Sequence, residues 1–259
     1  MAEAAPSARH SPAPIRYNLP MAPTREALLA MYRAMRKRFG PQHWWPSCPH
    51  LAPHDRKLEI CVGAILTQNT NWRNVERALA NLVAAVAMNV RALAAMPVRR
   101  LASLIRPAGY YNVKARRVKA FIGELTILDC QSPIGASRGR GSSPLDRLLA
   151  LPPGELRDRL LAVSGIGPET ADSIVLYAAG KPSFVVDAYT RRVLRRHGLI
   201  GPSAGYEDIQ SLFEAHLPRR VALYNDYHAQ FVAVGKHYCR PTARCAGCPL
   251  ERFAHDGGK

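Results

Sequence analysis

The sequence lacks any run of about 18 apolar residues, the length that a membrane-spanning helix needs, so we expect no membrane association. The first twenty residues, MAEAAPSARHSPAPIRYNLP, also lack the apolar stretch of a signal peptide. These absences predict a cytoplasmic protein. Because Pro and Ala are frequent there, residues 1–22 are expected to form a flexible N-terminal arm.

Acidic residues are scarce. The chain has 19 Asp and Glu against 36 Lys and Arg, which gives a net charge of +17 and a sequence pI near 10.2. Such an excess favours a polyanionic partner, because each cation placed near a phosphate releases condensed counterions. Charge alone does not distinguish among DNA, RNA and anionic lipid.

Cysteine is also sparse, with six residues in 259. Since disulfides are rare in the cytosol, these six are expected to be thiols or metal ligands. Cys48, Cys61 and Cys130 are scattered along the chain and are interpreted as structural.

Alternating apolar and polar residues, the signature of strands, are missing over any useful length. Almost every periodic segment repeats at helical spacing, so the sequence predicts an all-α protein of 259 residues, long enough for one large domain or two small ones. The predicted helices are 24–38, 58–68, 71–87, 98–104, 114–128, 145–150, 154–163, 169–179, 188–197, 206–216 and 222–237.

The segment with the densest signal is LLAVSGIGPETADSIVLYAAGKPSFVVDAYTRRVLRRHG, residues 160–198. Gly165 and Gly167 permit a tight turn around Ile166, which is expected to plug the turn into the core. Pro168 suits the first position of the following helix, since its missing N–H has no helical partner there. The free N–H groups of such a helix start form a phosphate site.

Asp187 follows this hairpin after an apolar run. As an isolated residue it is typical of a helix N-cap. That position also keeps a carboxylate ionised, through the helix dipole and free amides. An ionised carboxylate suits cleavage of an N-glycosidic bond, because the sugar becomes cationic as the base departs.

Gly165–Ala171 followed by Val185–Asp187 resembles the helix–hairpin–helix and Gly/Pro-rich loop with Asp of the endonuclease III superfamily. Residues 65–70, ILTQNT, and 109–115, GYYNVKA, resemble two further family segments in the family's order. The resemblance implies a DNA glycosylase of base excision repair acting on double-stranded DNA, as a monomer associated with the nucleoid. It also implies two helical lobes. One is a six-helix barrel at 57–182 with the hairpin at about 155–180, and the other joins 23–56 to 183–259.

The same resemblance implies roles for single residues. Asp187 is the catalytic carboxylate, and Gln68 enters the space left by an extruded base, which must leave the stack before its glycosidic bond can be reached. The residues expected to contact DNA are Gln68, Asn69, Tyr111, Lys114, Gly165, Gly167, Arg191, Arg240 and Arg244.

Glu169 is where the sequence departs from the family pattern, because bifunctional members have at this position a lysine that forms a Schiff base with the sugar. Glu169 is expected at the mouth of the site. We therefore predict a monofunctional glycosylase with water as nucleophile, resembling the branch that removes 3-methyladenine. The alternatives are a bifunctional glycosylase and abasic-site lyase for oxidised pyrimidines, with Lys181 as a substitute amine, and a non-catalytic DNA-binding module.

Cys239, Cys245 and Cys248 have the spacing C-x5-C-x2-C, which indicates a metal site. By resemblance the metal is a 4Fe–4S cluster, normally held by four cysteines. The fourth position falls near Ala254, so the fourth ligand is unknown, with His255 or Asp256 as candidates. A zinc site completed by His255 or His237 is an alternative.

Overall fold

The computed structural model describes residues 24–45, 53–130 and 143–255, and within these ranges it contains twelve α-helices and no strand, which confirms the all-α prediction. None of the helices in these ranges has the length and apolar character needed to cross a bilayer. The predicted arm at 1–22 lies outside the described residues. The helices are α1 Arg25–Phe39, α2 Pro53–Leu66, α3 Trp72–Ala84, α4 Val90–Ala95, α5 Val98–Leu104, α6 Tyr111–Cys130, α7 Pro144–Ala150, α8 Pro153–Ala162, α9 Pro168–Ser173, α10 Ala188–Arg196, α11 Tyr206–His216 and α12 Val221–His237.

Polar residues set the starts of several helices. The Thr24 hydroxyl accepts from the Ala27 amide at the start of α1, and Asn71 accepts from the Asn74 amide at the start of α3. Asp187 accepts from the Thr190 amide at the start of α10. Each cap satisfies an amide that has no partner within the helix, so these boundaries follow from local chemistry.

The first hydrophobic cluster contains buried residues from Leu58 to Ala178 and is built by α2 to α9. Its centre includes the predicted stripe of α6, where Val118, Phe121, Ile122 and Leu125 are all buried. Ile166 is buried in the same cluster, as expected for the residue that plugs the hairpin turn.

The second cluster joins α1 to α10, α11 and α12, together with Cys239 and Leu250 from the cysteine-containing segment. Its packing is aromatic, with Phe184 stacked on Phe213 at a ring distance of 3.9 Å. The two clusters meet after α9, since Val175 belongs to the first cluster and Leu176 to the second. The lobe boundaries implied by the family resemblance stay a prediction.

The segment after α9 differs from the prediction of one continuous helix at 169–179. The α-helix ends at Ser173 and continues as a π-helical turn, Ile174–Ala178, in which the Ala179 amide donates to the Ile174 carbonyl at 3.0 Å. A π turn inserts one extra residue per turn and often marks a functional site. Here the turn carries Tyr177, whose hydroxyl lies 2.6 Å from Nδ1 of His228.

Candidate active site

Asp187 lies at the N-terminus of α10 with its side chain 12% exposed. One carboxylate oxygen, Oδ1, accepts from the Thr190 amide at 2.7 Å. The other, Oδ2, lies 3.6 Å from Nε2 of His228. The carboxylate is therefore oriented from two sides and keeps one edge open to the cavities described below.

The pKa of Asp187 is lowered from its usual value. Burial is the largest influence and by itself raises the pKa, but the contact with His228 and the hydrogen bond from the amide of Thr190 together outweigh it. The group is thus ionised at neutral pH, as stabilisation of a cationic sugar requires.

Glu169 lies in the first turn of α9 and is exposed to the space in front of Asp187. Its pKa is raised to about 7, first by desolvation of the carboxyl group in this concave site and second by the charge of Asp187, with His228 opposing. The two carboxyl groups therefore have pKa values moved in opposite directions, a pattern typical of functional sites.

A cavity of about 610 Å³ opens beside these two carboxyl groups. One wall is aromatic and is formed by Trp44, Trp45 and Trp72, with the ring of Trp45 edge-on to that of Trp72 at 4.9 Å. Charged or polar residues, including Glu169, Asp187, His228 and Lys236, also line the cavity. The volume suits a single nucleobase with part of its sugar.

A second cavity, of about 590 Å³, is also lined by Asp187 and Glu169, together with four arginines of α10, namely Arg191, Arg192, Arg195 and Arg196. Arg191 donates to the Ala204 carbonyl at 2.5 Å. The two carboxyl groups thus line both a cavity with an aromatic wall and a strongly basic one.

The hairpin is fixed by three polar contacts behind its turn. Gly165 has a φ of +87°, and a Cβ there would clash with the side chain of Arg117. Gln68 donates to the Gly165 carbonyl at 3.0 Å and to the Thr170 hydroxyl at 2.9 Å, and its own carbonyl accepts from Arg117. Gly167 is the N-cap of α9 without a side-chain partner. In this state Gln68 holds the hairpin against α2.

Two exposed residues, one directly after Gln68 and one directly before α6, have left-handed backbone conformations. Asn69 has a φ of +53° and Tyr110 a φ of +43°. The Tyr110 side chain is 74% exposed, whereas Tyr111 is partly buried and packs against the first cluster. We expected an exposed aromatic ring at Tyr111, but in the structure the exposed ring is that of Tyr110.

Lys114 requires a correction, because it is 1% exposed and cannot reach a phosphate from this position. Its ammonium donates to the carbonyls of Leu66 and Ala108, each at 2.8 Å. Burial and the nearby Arg117 lower its pKa to about 8. Lys114 satisfies carbonyls at two helix ends and acts as a structural residue.

Lys181, the substitute amine of the bifunctional alternative, does not lie beside Asp187. Its amine donates to the carbonyls of Leu149 and Leu151 at the end of α7, and the residue lines neither of the two cavities beside Asp187. Lys236 of α12 does line the cavity with the aromatic wall. Of these two lysines, Lys236 is the one that lines a cavity together with Asp187.

Cys239, Cys245 and Cys248 line one small cavity together with His197 and His255. Arg196 donates to Sγ of Cys239 at 3.2 Å, and the fourth ligand position is Ala254, whose carbonyl contacts Nδ1 of His197. Among the described residues no three His, Cys, Asp or Glu are placed to share a metal ion.

The described residues of this segment do not supply the ligands of a 4Fe–4S cluster, so no step of the proposed reaction uses one. Asp256 lies outside the described residues, and the metal site stays a prediction. Arg240 and Arg244, in the same segment, are exposed on its surface. Both are positioned for contact with an external anion.

The comparisons with known proteins agree with this geometry. Residues 62–219 match the model of the HhH-GPD superfamily base excision DNA repair protein. The chain belongs to this family. A putative DNA repair glycosylase from Methanocaldococcus jannaschii is 39% identical over 88% of this chain and 96% of its own. The protein is therefore a DNA glycosylase of base excision repair.

Among solved structures, the 3-methyladenine DNA glycosylase of H. pylori bound to 1,N6-ethenoadenine has a TM-score of 0.62 at 27% identity, over 82% of this chain and 96% of that one. A non-covalent endonuclease III–DNA complex has a TM-score of 0.69 at 21% identity, over 91% and 96%, and shows the fold. The expected family and enzyme class are confirmed.

Sequence reasoning missed the walls of the cavity. Trp44 and Trp45 are adjacent, but Trp72 and His228 lie far from them in the chain, and the four residues carry no shared motif. The available signals were the adjacent tryptophans of HWWP and a histidine on an apolar helix face. Either is ordinary in a helical core, so only the fold brings them to Asp187.

Proposed function

We propose that this glycosylase is monofunctional and removes cationic, alkylated purines from duplex DNA, with water as the nucleophile. The observation that carries the proposal is Glu169, a carboxyl group, at the place where a lyase needs its amine, directly in front of Asp187. A carboxyl group cannot form a Schiff base with the sugar.

The walls of the cavity support a cationic purine as substrate. Tryptophan rings attract cations through their negative faces, and Trp44, Trp45 and Trp72 line the cavity. Glu169 and Asp187 add negative charge at the open side. A neutral oxidised pyrimidine would gain little from either the aromatic rings or the negative charge.

The proposed reaction breaks the bond between C1′ and the base nitrogen, and the bonding electron pair leaves with the base. An alkylated purine that is cationic in DNA departs as a neutral molecule, so no acid is needed. Asp187 stabilises the cationic sugar, water adds to C1′, and the proton of water passes to Asp187. The product is an abasic site.

DNA binding is proposed to use the exposed residues around the cavity. Tyr110 enters the stack as a wedge beside the extruded nucleotide, while Asn69, Arg240 and Arg244 contact the backbone or the unpaired strand. The free amides at Gly165 and Gly167 and the guanidinium of Arg191 are proposed phosphate contacts.

The test is a panel of duplexes that contain 3-methyladenine, 7-methylguanine, 1,N6-ethenoadenine or an oxidised pyrimidine. We expect base release from the cationic 3-methyladenine and 7-methylguanine in preference to the neutral 1,N6-ethenoadenine, and strand breaks only after alkali. Strand breaks before alkali, together with a covalent adduct after borohydride, would contradict the monofunctional assignment. Preferred release of oxidised pyrimidines would contradict the substrate assignment.

The bifunctional alternative keeps one specific observation in its favour, because Lys236 lines the same cavity as Asp187. If borohydride traps an adduct, Lys236→Arg should reduce it. The matched control is Lys181→Arg, whose amine is held by the carbonyls of α7. Equal trapping by both variants would exclude Lys236 as the amine.

A further inference from the structure

His228 and Tyr177 form a buried pair that leads to the catalytic carboxylate and that base excision chemistry, as described above, does not use. His228 is 5% exposed, and its Nδ1 lies 2.6 Å from the Tyr177 hydroxyl. Its other nitrogen, Nε2, has no hydrogen-bond partner among the described residues. That nitrogen lies 3.6 Å from Oδ2 of Asp187.

The phenol determines which ring nitrogen carries the proton. A buried hydroxyl must donate its hydrogen to an acceptor, and in the described part of the chain the Tyr177 hydroxyl has Nδ1 of His228 as its hydrogen-bonding partner. Burial raises the pKa of Tyr177 further above its usual value, so the hydroxyl stays a donor. Nδ1 is then the acceptor, and the neutral ring has its proton on Nε2.

We propose that Tyr177 locks His228 in the Nε2–H tautomer, and that this N–H holds Oδ2 of Asp187 in position against the sugar. His228 is a positioning residue in this proposal, which rests on the proposed role of Asp187. Oδ1 is already held by the Thr190 amide, so the second contact fixes the rotation of the carboxylate. The distance of 3.6 Å closes to a hydrogen bond when the sugar is bound.

The surroundings of the imidazole favour this arrangement. Trp44 lies edge-on to its ring at 5.5 Å and excludes water from one side. The ionisable groups that face it are Asp187 before α10, Glu169 on α9, Tyr177 on the π turn and Lys236 on α12. The π turn is needed because it brings Tyr177 to Nδ1.

Isosteric amides give the sharpest test. The amide nitrogen of Gln superimposes on Nε2 of histidine, and that of Asn superimposes on Nδ1. His228→Gln therefore keeps a donor toward Asp187, while His228→Asn keeps only a group toward Tyr177. We expect single-turnover base release to fall about fivefold for the Gln variant and about a hundredfold for the Asn variant, with unchanged affinity for abasic-site DNA.

Tyr177→Phe keeps the ring and removes the hydroxyl, so we expect about a tenfold slower release with unchanged affinity for abasic-site DNA. In the double variant with His228→Gln the tyrosine change should have no further effect, because its target is gone. Additive losses, or equal losses for Gln and Asn, would overturn the proposal.

Nitrogen NMR of the wild-type protein labelled at histidine provides a readout that needs no substrate. The His228 ring is identified by its missing signal in His228→Gln, and it should show the Nε2–H tautomer. An Nδ1–H ring would overturn the proposal. Because this readout is independent of lesion and lyase chemistry, its failure is distinguishable from failure of the proposed function.

Discussion

The hairpin around Gly165 and the cysteine segment from Cys239 to Leu250 both match family motifs, yet the structure completes only one of them. At the hairpin, glycine, proline and the buried Ile166 are all in place, and Arg117 and Gln68 support the turn from behind. At the cysteine segment, one ligand position is occupied by Ala254. A motif therefore predicts structure reliably where backbone geometry carries it, and less well where it depends on a full set of ligands.

Arginine side chains organise the cysteine segment. Arg192 donates to the Cys239 carbonyl at 2.6 Å, and Arg196 donates to the carbonyls of Arg240 and Pro241, each at 2.6 Å. Two of the four arginines of α10 thus hold the segment against the helix that begins at Asp187.

The largest expected effect is the loss of base release when Asp187, at the start of α10, loses its negative charge. Asp187→Asn keeps the N-cap, because Asn accepts from the Thr190 amide as Asp does. It removes the negative charge, so base release should fall by about a thousandfold or more. The measurement is single-turnover release from alkylated duplex. Unchanged release with every lesion would leave Asp187 as a helix cap alone and contradict its proposed catalytic role.

The second prediction compares one glycine from each motif. Gly165→Ala meets both a left-handed φ of +87° and the side chain of Arg117, whereas Gly247→Ala meets a φ of +74° in open space. We expect the free energy of unfolding to fall by about 3 kcal/mol at Gly165 and about 1 kcal/mol at Gly247. Denaturant titration measures both. Equal losses would contradict the view that Arg117 closes the back of the hairpin.

The third prediction concerns the arginines that hold the cysteine segment. Arg196→Ala removes donors to Cys239, Arg240 and Pro241, and should lower the free energy of unfolding by about 2 kcal/mol. The matched control is the exposed Arg195, whose removal should cost less than about 0.5 kcal/mol. Faster hydrogen exchange should be confined to the cysteine segment in the Arg196 variant. If both variants behave alike, Arg196 does not organise this segment.

Features that depend on residues close together in the sequence could be predicted, whereas features that depend on tertiary contacts could not. Helix starts at Thr24, Asn71 and Asp187 were predictable because a cap involves residues three apart. The buried stripe of α6 was predictable from its period. The π turn was not, because its extra residue is stabilised by tertiary contacts such as that between Tyr177 and His228.

The wrong prediction of a phosphate contact for Lys114 also arises from tertiary contacts. Lys114 was expected at a phosphate, since a lysine in a basic helix is usually solvated. Its burial depends on the carbonyl ends of two other segments, at Leu66 and Ala108, which the sequence does not place together. The aromatic wall built by Trp45 and Trp72 was missed for the same reason.

The smallest expected effect is on the pH dependence of stability and concerns Glu169, whose pKa is raised whereas that of Asp187 is lowered. The pKa of Glu169 is raised to about 7, so the folded protein binds more protons than the unfolded chain between the ordinary glutamate pKa and about 7. Its contribution to stability is present at low pH and is lost as pH rises through 7. Glu169→Gln should remove this loss, a gain of about 1 kcal/mol at pH 8 relative to pH 5, because solvent in the cavity screens the charge.

The same titration should affect activity in the opposite direction. Ionised Glu169 attracts a cationic base, so release of an alkylated purine by the unaltered protein should rise about fivefold through pH 7, and the Gln variant should lack this rise. Glu155, in the first turn of α8, provides a control whose Gln variant keeps the wild-type profile. A rise that persists in Glu169→Gln would assign the titration near neutral pH to another group, and Glu169 would then be a first-turn acid that only complements the dipole of α9.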